Sequence, residues 1–126
     1  VNKDNKYQRG IKVWRKLLGD KYYKQVWGEV KQLSPDFERF IAEFVLADVW
    51  SRPKLDLKTR SLCTIAALTV LGRENQLKTH IIAALNNGAS KEEVIEVLLH
   101  MSIYGGFPVA WNGLMVAQKA FSELKS

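Results

Sequence analysis

A helical bundle is the fold class this chain predicts, and three observations predict it. Apolar residues recur at three- and four-residue spacing along most of the sequence. No segment sustains the apolar–polar alternation of a half-buried strand. Glycines, prolines and capping residues cut the pattern into pieces of helical length. About six or seven helices are expected, all α and in one domain. The 126 residues are enough to bury a core. A composition of 47% apolar and 25% charged residues is ordinary for a globular chain.

The first helix is expected from about Asp4 to Leu18, with Tyr7, Ile11, Trp14 and Leu18 on its inner face. Gly19 ends it and Asp20 is placed to cap the second, which carries Tyr22, Tyr23, Val26, Val30 and Leu33. Ser34-Pro35-Asp36 reads as a cap, a first-turn proline and an acidic first turn. The third helix follows, with Phe37, Phe40, Ile41, Phe44 and Asp48 on one stripe. Ser51-Arg52-Pro53 breaks it. Asp56 is placed to cap a fourth helix ending at about Leu71, free of charge after Arg60 and therefore expected at the centre of the bundle. The short turn at Gly72 makes the fifth helix, to about Asn87, its antiparallel partner. Ser90 and Glu93 form a capping box for the sixth, which holds Val94, Ile95, Leu98 and Leu99. After Gly105-Gly106 the last helix presents Ala110, Leu114, Ala117, Phe121 and Leu124 on one face.

The formal charge of +6 is concentrated at the start. Lys3, Lys6, Arg9, Lys12, Arg15, Lys16, Lys21, Lys24 and Lys31 stand against Asp4, Asp20 and Glu29, and the rest of the chain is balanced. A basic end can bind nucleic acid, but no recognition motif accompanies it. Alternation with apolar residues at helical spacing favours the solvated side of an amphipathic helix. The uncharged run Ser61–Gly72 is too short to span a bilayer, and the cytoplasm is the expected compartment. A single cysteine, Cys63, excludes an intramolecular disulfide and any Cys-x-x-Cys site. Within an apolar helix it reads as a small core residue. No Gly-rich phosphate loop, His-x-x-x-His or Glu-x-x-His occurs, so neither a nucleotide nor a metal is expected.

Four polar residues in apolar settings are the candidates for chemistry, because burying them needs compensation. Asp48 closes the third helix's stripe, Arg60 opens the most apolar helix, His80 edges the buried face of the fifth, and His100 lies near the end of the sixth. Structural roles compete with each. Asp48 and Arg52, like Asp56 and Arg60, are one turn apart and suited to ion pairing, as are Glu74 and Lys78. A helical histidine is often simply a hydrogen-bonded structural residue.

Along the chain stand, in order, Val49-Trp50-Ser51-Arg52-Pro53, Leu55, Thr59-Arg60-Ser61-Leu62, Leu71-Gly72-Arg73-Glu74, Leu77 and His80. The series continues through Asn86-Asn87-Gly88, Glu93, Glu96-Val97-Leu98-Leu99-His100 and Tyr104-Gly105-Gly106-Phe107-Pro108. With Tyr7, Gly10, Val13 and Leu18-Gly19-Asp20 toward the start, this ordered series resembles the carboxymuconolactone decarboxylase family along most of the chain's length. The broader superfamily includes alkylhydroperoxidase D-like proteins with a Cys-x-x-Cys pair before the histidine. Here Arg73 and Gln76 occupy those positions, so dithiol peroxidase chemistry is not expected. Two departures stand on the decarboxylase side: Leu46-Ala47-Asp48 replaces Trp-Gly-Glu, and Lys54 follows Arg52-Pro53 in place of glycine.

The resemblance implies an alkylhydroperoxidase D-like bundle and a cofactor-independent decarboxylase acting on a small anionic substrate, a carboxylated lactone or related compound. It also implies a homo-oligomer built on trimers, up to a hexamer, with no nucleic-acid or membrane partner, and a place in aromatic-compound catabolism. Losing carbon dioxide leaves electron density that must be stabilised and then protonated. On that chemistry His80, Arg60 and Asp48 are the expected catalytic set, lying together near a subunit interface. His80 delivers the proton, Arg60 joins Arg52 in holding carboxylates, and Asp48 orients a partner. Arg52, Trp50 and Tyr104 are the expected substrate-binding residues. The alternatives are a non-catalytic or small-molecule-binding member of the same family, and a basic nucleic-acid-binding module.

Overall fold

The computed structural model describes residues 3–124, and among them there is helix and no strand. Seven α-helices occur: α1 (Lys3–Leu18), α2 (Asp20–Leu33), α3 (Pro35–Phe40), α4 (Leu57–Leu71), α5 (Glu74–Asn86), α6 (Lys91–Gly105) and α7 (Phe107–Leu124). Helix α3 runs on without a break as a π-helix over Ile41–Trp50. The chain forms two compact units, Val1–Leu57 and Lys58–Ser126.

In the first unit, α1 lies along the π-helix, and the sequence permits a very close approach there. Gly10 is buried against Ala42, and a Cβ on Gly10 would stand 1.8 Å from the Ala42 carbonyl oxygen. Ile11, Trp14, Leu17 and Leu18 are buried along the same helix, while Arg9, Lys12, Arg15 and Lys16 face solvent. Those four basic residues thus lie on its solvated side. Gly19, at φ 78°, turns the chain into α2. Asp20 does not cap that helix. It is the first helical residue, Gly19 holds the cap position, and the Asp20 carboxylate pairs with Arg15 at 3.0 Å. Ser34 does cap α3, its Oγ accepting the Phe37 amide, with Pro35 in the first turn.

The stripe expected on the third helix points the other way. Phe37, Phe40 and Phe44 are exposed, whereas Glu38, Ala42, Leu46 and Ala47 are buried. Two physical reasons account for this. The small Ala42 is what α1 can approach, and buried Glu38 finds donors: Tyr7 donates its hydroxyl proton to Oε2, as does the Trp27 indole N–H at 2.7 Å. Burial, reinforced by the Glu38 carboxylate, raises the Tyr7 pKa above the ordinary phenol range. Helices α1, α2 and α3 are therefore joined at one buried carboxylate, which two charge-assisted hydrogen bonds compensate. Beyond Phe40 the ladder shifts to five-residue spacing, closing with the Ser51 amide on the Leu46 carbonyl at 3.1 Å.

In the second unit α5 and α6 both pack on α7. Helix α4 is not the central buried element. It buries only Ser61, Ile65 and Thr69, at four-residue spacing, while Val70 and Leu71 are exposed. Cys63 is likewise exposed rather than part of the core. An uncharged composition was a poor guide because Thr and Ala supply much of it and need no burial. Nor is α4 the chief partner of α5, whose main contact is α7. Small residues explain the choice: α7 buries Ala110, Gly113, Val116, Ala117 and Ala120, so neighbouring backbones can close on it. A Cβ on Gly113 would meet Leu98 of α6 at 2.9 Å and Thr69 of α4 at 3.2 Å. The larger Leu114 and Leu124 of the expected inner face are partly exposed instead.

The capping box at α6 is present as read. Ser90 Oγ accepts the Glu93 amide at 3.0 Å, and Glu93 accepts the Ser90 amide at 2.9 Å. Lys58 adds an ion pair to Glu93 at 3.0 Å. The Ser90 amide and then the Lys58 ammonium hold the Glu93 carboxyl below its usual range. Lys78 pairs with Glu123 of α7 at 2.7 Å, not with Glu74. Helices α6 and α7 are joined by Gly106 alone, at φ 99°. Their junction lies within the chain's longest stretch without Asp, Glu, Lys or Arg, Val97–Gln118. No helix among the described residues is long and apolar enough to cross a membrane.

Candidate active site

Three of the six expected site residues belong to the first unit. Asp48 is in the last turn of the π-helix, and its carboxylate meets Lys6 of α1 at 2.7 Å. Both side chains are 40% exposed, so this is a surface pair of modest strength. Trp50, half-buried, ends the π-helix. Arg52 is exposed in the following turn, where its amide donates to the Val49 carbonyl at 3.1 Å. The three are brought within five residues of one another by the end of one helix. A π-turn at such a place is often functional, since it widens the helix and redirects side chains.

The other three belong to the second unit. Arg60 is half-buried in the first turn of α4, its carbonyl accepting the Thr64 hydroxyl at 2.8 Å. Tyr104 is exposed near the end of α6, its ring 5.5 Å from that of His100. His80 sits on α5 between buried Leu77 and the buried run Ile81–Ala84. Burial in these surroundings pushes its pKa down from 6.5 to about 4. The residue is not poised near neutrality; at pH 7 it is a neutral imidazole, able to accept a proton or to donate a neutral N–H.

Some partners were out of reach of the sequence. Lys6 is far from Asp48 along the chain, and helical spacing can propose only Arg52. Glu38 was not singled out in the sequence; it stands four residues before Ala42, on the side of the helix that is buried. Ser61 is fully buried, and its hydroxyl has no hydrogen-bond partner among the described residues. Such a group adds an uncompensated hydroxyl to the start of α4, next to Arg60. No cluster of three or more His, Cys, Asp or Glu side chains among the described residues could hold a metal ion.

Comparison with known proteins agrees with the order of motifs. The sequence profile of the carboxymuconolactone decarboxylase family matches residues 35–119, a span that takes in parts of both units. A 4-carboxymuconolactone decarboxylase from Acinetobacter baylyi is 39% identical over 124 residues, covering 98% of this chain and 92% of that protein. A nitrosuccinic acid decarboxylase from Metarhizium robertsii is 30% identical over 118 residues, covering 94% of this chain and 82% of its own length. An uncharacterised 15.0 kDa protein of Paracoccus denitrificans is 36% identical over 96 residues. With an all-α fold, the family's motifs in sequence and a profile match over most of its length, the chain belongs to the carboxymuconolactone decarboxylase family.

Proposed function

We propose that the protein is a cofactor-independent decarboxylase of a small carboxylated compound, with a carboxylated lactone of the muconolactone type as the leading substrate. The observation that carries this reading is likeness over nearly the full length to two decarboxylases named for different small acids. What those reactions share is heterolysis of a carbon–carboxylate bond. The electron pair stays on the substrate, conjugates with an acceptor group, and is quenched by a proton on carbon. Arg52 and Arg60 are assigned to substrate carboxylates, since a guanidinium holds one through two parallel hydrogen bonds. His80 handles the proton, Trp50 and Tyr104 contact the substrate, and Asp48 acts as a positioning residue through the cation it meets.

The test is spectrophotometric turnover of 4-carboxymuconolactone, with carbon dioxide release from nitrosuccinate as a second substrate. Turnover of either supports the decarboxylase. Binding of both without turnover selects the non-catalytic reading, which the Lys6–Asp48 pair favours by engaging the acid that replaces the family's usual glutamate.

The working form in this reading is a homo-oligomer built on trimers, up to a hexamer, in the cytoplasm and in the catabolism of aromatic compounds. Support for assembly comes from the turn end of the α6–α7 hairpin. Ile103, Tyr104, Phe107 and Trp111 are 69–74% exposed there, within a stretch carrying no formal charge. A contiguous uncharged surface of large side chains is what a subunit contact needs and a lone chain avoids. Sedimentation at micromolar concentration is expected to give several times 14.4 kDa. Trp111→Lys should shift it toward the single-chain mass, and a single chain throughout would refute the assembly.

A further inference from the structure

The opposite end of the same hairpin carries a different surface. Where the start of α6 meets the end of α7, a groove of about 420 Å³ is lined by Ile95, Leu114, Met115 and Phe121, with Gln118 and Lys91 among its polar groups. That volume is in the range of small-molecule sites. We propose that this groove binds a small amphipathic carboxylate, at a site separate from the residues assigned to decarboxylation.

Charge argues for the class of ligand. The Lys91 ammonium stands 5.4 Å from the centroid of the Phe121 ring. Among the described residues it has no carboxylate partner, because the acids near it are committed elsewhere. Glu93 is held by Lys58 and the Ser90 amide, and Glu123 by Lys78. Glu92, the next residue on α6, is a fully neighbouring position along the chain and so projects from a different side of the helix. The groove therefore offers an apolar floor that three aliphatic or thioether side chains leave partly exposed, an aromatic wall and one unneutralised cation. A neutral ligand would leave the ammonium unused, and a cation would be repelled by it. A second copy of the chain would have to bring a carboxylate to Lys91 together with an apolar side chain narrow enough for a groove of this size. A free aryl- or alkyl-carboxylate meets both requirements at once, with the Gln118 amide as a further donor to its oxygens.

The test uses 4-phenylbutyrate as the probe and the full chain carrying ¹³C-methyl methionine. The chain has two methionines: Met115 lines the groove and Met101 does not, so each spectrum contains its own control. A saturable shift of the Met115 methyl with Met101 unmoved is expected. The isosteric alcohol 4-phenylbutan-1-ol should bind about fivefold or more weakly, the scale of one partly exposed ion pair. Lys91→Gln, an exposed substitution that leaves the core intact, should bring the acid down to the affinity of the alcohol, and Lys91→Arg should restore most of the difference. Equal binding of acid and alcohol would overturn the proposal. So would an unmoved Met115, or a Met115 shift that follows protein concentration instead of probe, which would mark the groove as a contact between copies.

Discussion

Changing His80 to Gln is expected to lower turnover of 4-carboxymuconolactone by about a hundred- to ten-thousandfold, the range lost with a group that transfers a proton. Folding at pH 7 should change little, since the imidazole is neutral there and Gln is a polar replacement of similar reach. Burial holds the His80 pKa down at about 4. A neutral imidazole is a poor acid, so the free protein is not ready to protonate carbon. An anionic substrate changes this. A carboxylate about 4 Å away, at an effective dielectric of about 20, favours the imidazolium by about 4 kcal/mol. The depression from 6.5 to about 4 amounts to about 3 kcal/mol at ~1.4 kcal/mol per unit. The two nearly cancel, so binding would bring the His80 pKa back near neutrality. Calorimetry at pH 7 with an unreactive substrate analogue, in buffers of different ionisation enthalpy, should show uptake of about half a proton per bound molecule in the wild type and none in His80→Gln. Proton uptake that survives the substitution would remove His80 from the mechanism.

The same residue makes an acid-stability signature independent of activity. Its folded pKa lies below the unfolded value, so the unfolded chain binds more protons between them. The stability it contributes is complete above about pH 6.5 and lost as pH falls toward about 4. In His80→Gln that part of the acid-induced loss should vanish.

Gly10→Ala is expected to destabilise the first unit by about 3–4 kcal/mol, near the upper end for a single substitution. On helix propensity alone alanine would stabilise α1 by about 1 kcal/mol. Packing decides otherwise. The added methyl would stand 1.8 Å from the Ala42 oxygen and 2.6 Å from its carbonyl carbon. These are backbone atoms and cannot rotate away. The two helices must separate, loosening the seam that buries Ile11, Trp14, Leu17 and Leu18. Urea unfolding followed by tryptophan fluorescence would report it through Trp14 and Trp27, whose rings meet edge to face at 5.8 Å. A stability within 1 kcal/mol of wild type would mean that α1 and the π-helix do not pack as described.

Helix number, order and most boundaries were legible in the sequence because the signals are local. Ser34-Pro35 and the Ser90–Glu93 box specify their helix starts within four residues, and both are found. Which face of a helix is buried was less legible. For α3 the phenylalanines suggested one face, and the close approach of Gly10 to Ala42 selected the other; on α7 Ala110 and Ala117 of the expected face are buried, with Gly113, Val116 and Ala120 beside them in place of Leu114 and Leu124. That choice depends on the neighbouring helix and cannot be seen from one helix alone. The candidate site divides in the same way. His80 was legible as a polar residue on an apolar face, but its neutral state follows from burial in the folded unit. The Lys6–Asp48 pair and the Tyr7–Glu38–Trp27 cluster join residues distant in sequence, and no periodicity reports such contacts.

The uncharged stretch Val97–Gln118 also determines how the hairpin turn can be observed. Between Lys91 and Lys119 there is no lysine or arginine, so trypsin leaves the turn from α6 to α7 within one long apolar peptide. Amine-reactive cross-linkers have no attachment point in that interval, and between Glu96 and Glu123 carboxyl-reactive ones have none either. A subunit contact made there would be invisible to the usual cross-linking map, and a blank in such a map would carry no weight against it. Chymotrypsin, which cuts after Tyr104 and Trp111 but not at the Phe107–Pro108 bond, opens the segment to mass spectrometry. Protection of those two bonds in the intact protein, and their cleavage once the assembly is dispersed, would report the buried surface directly.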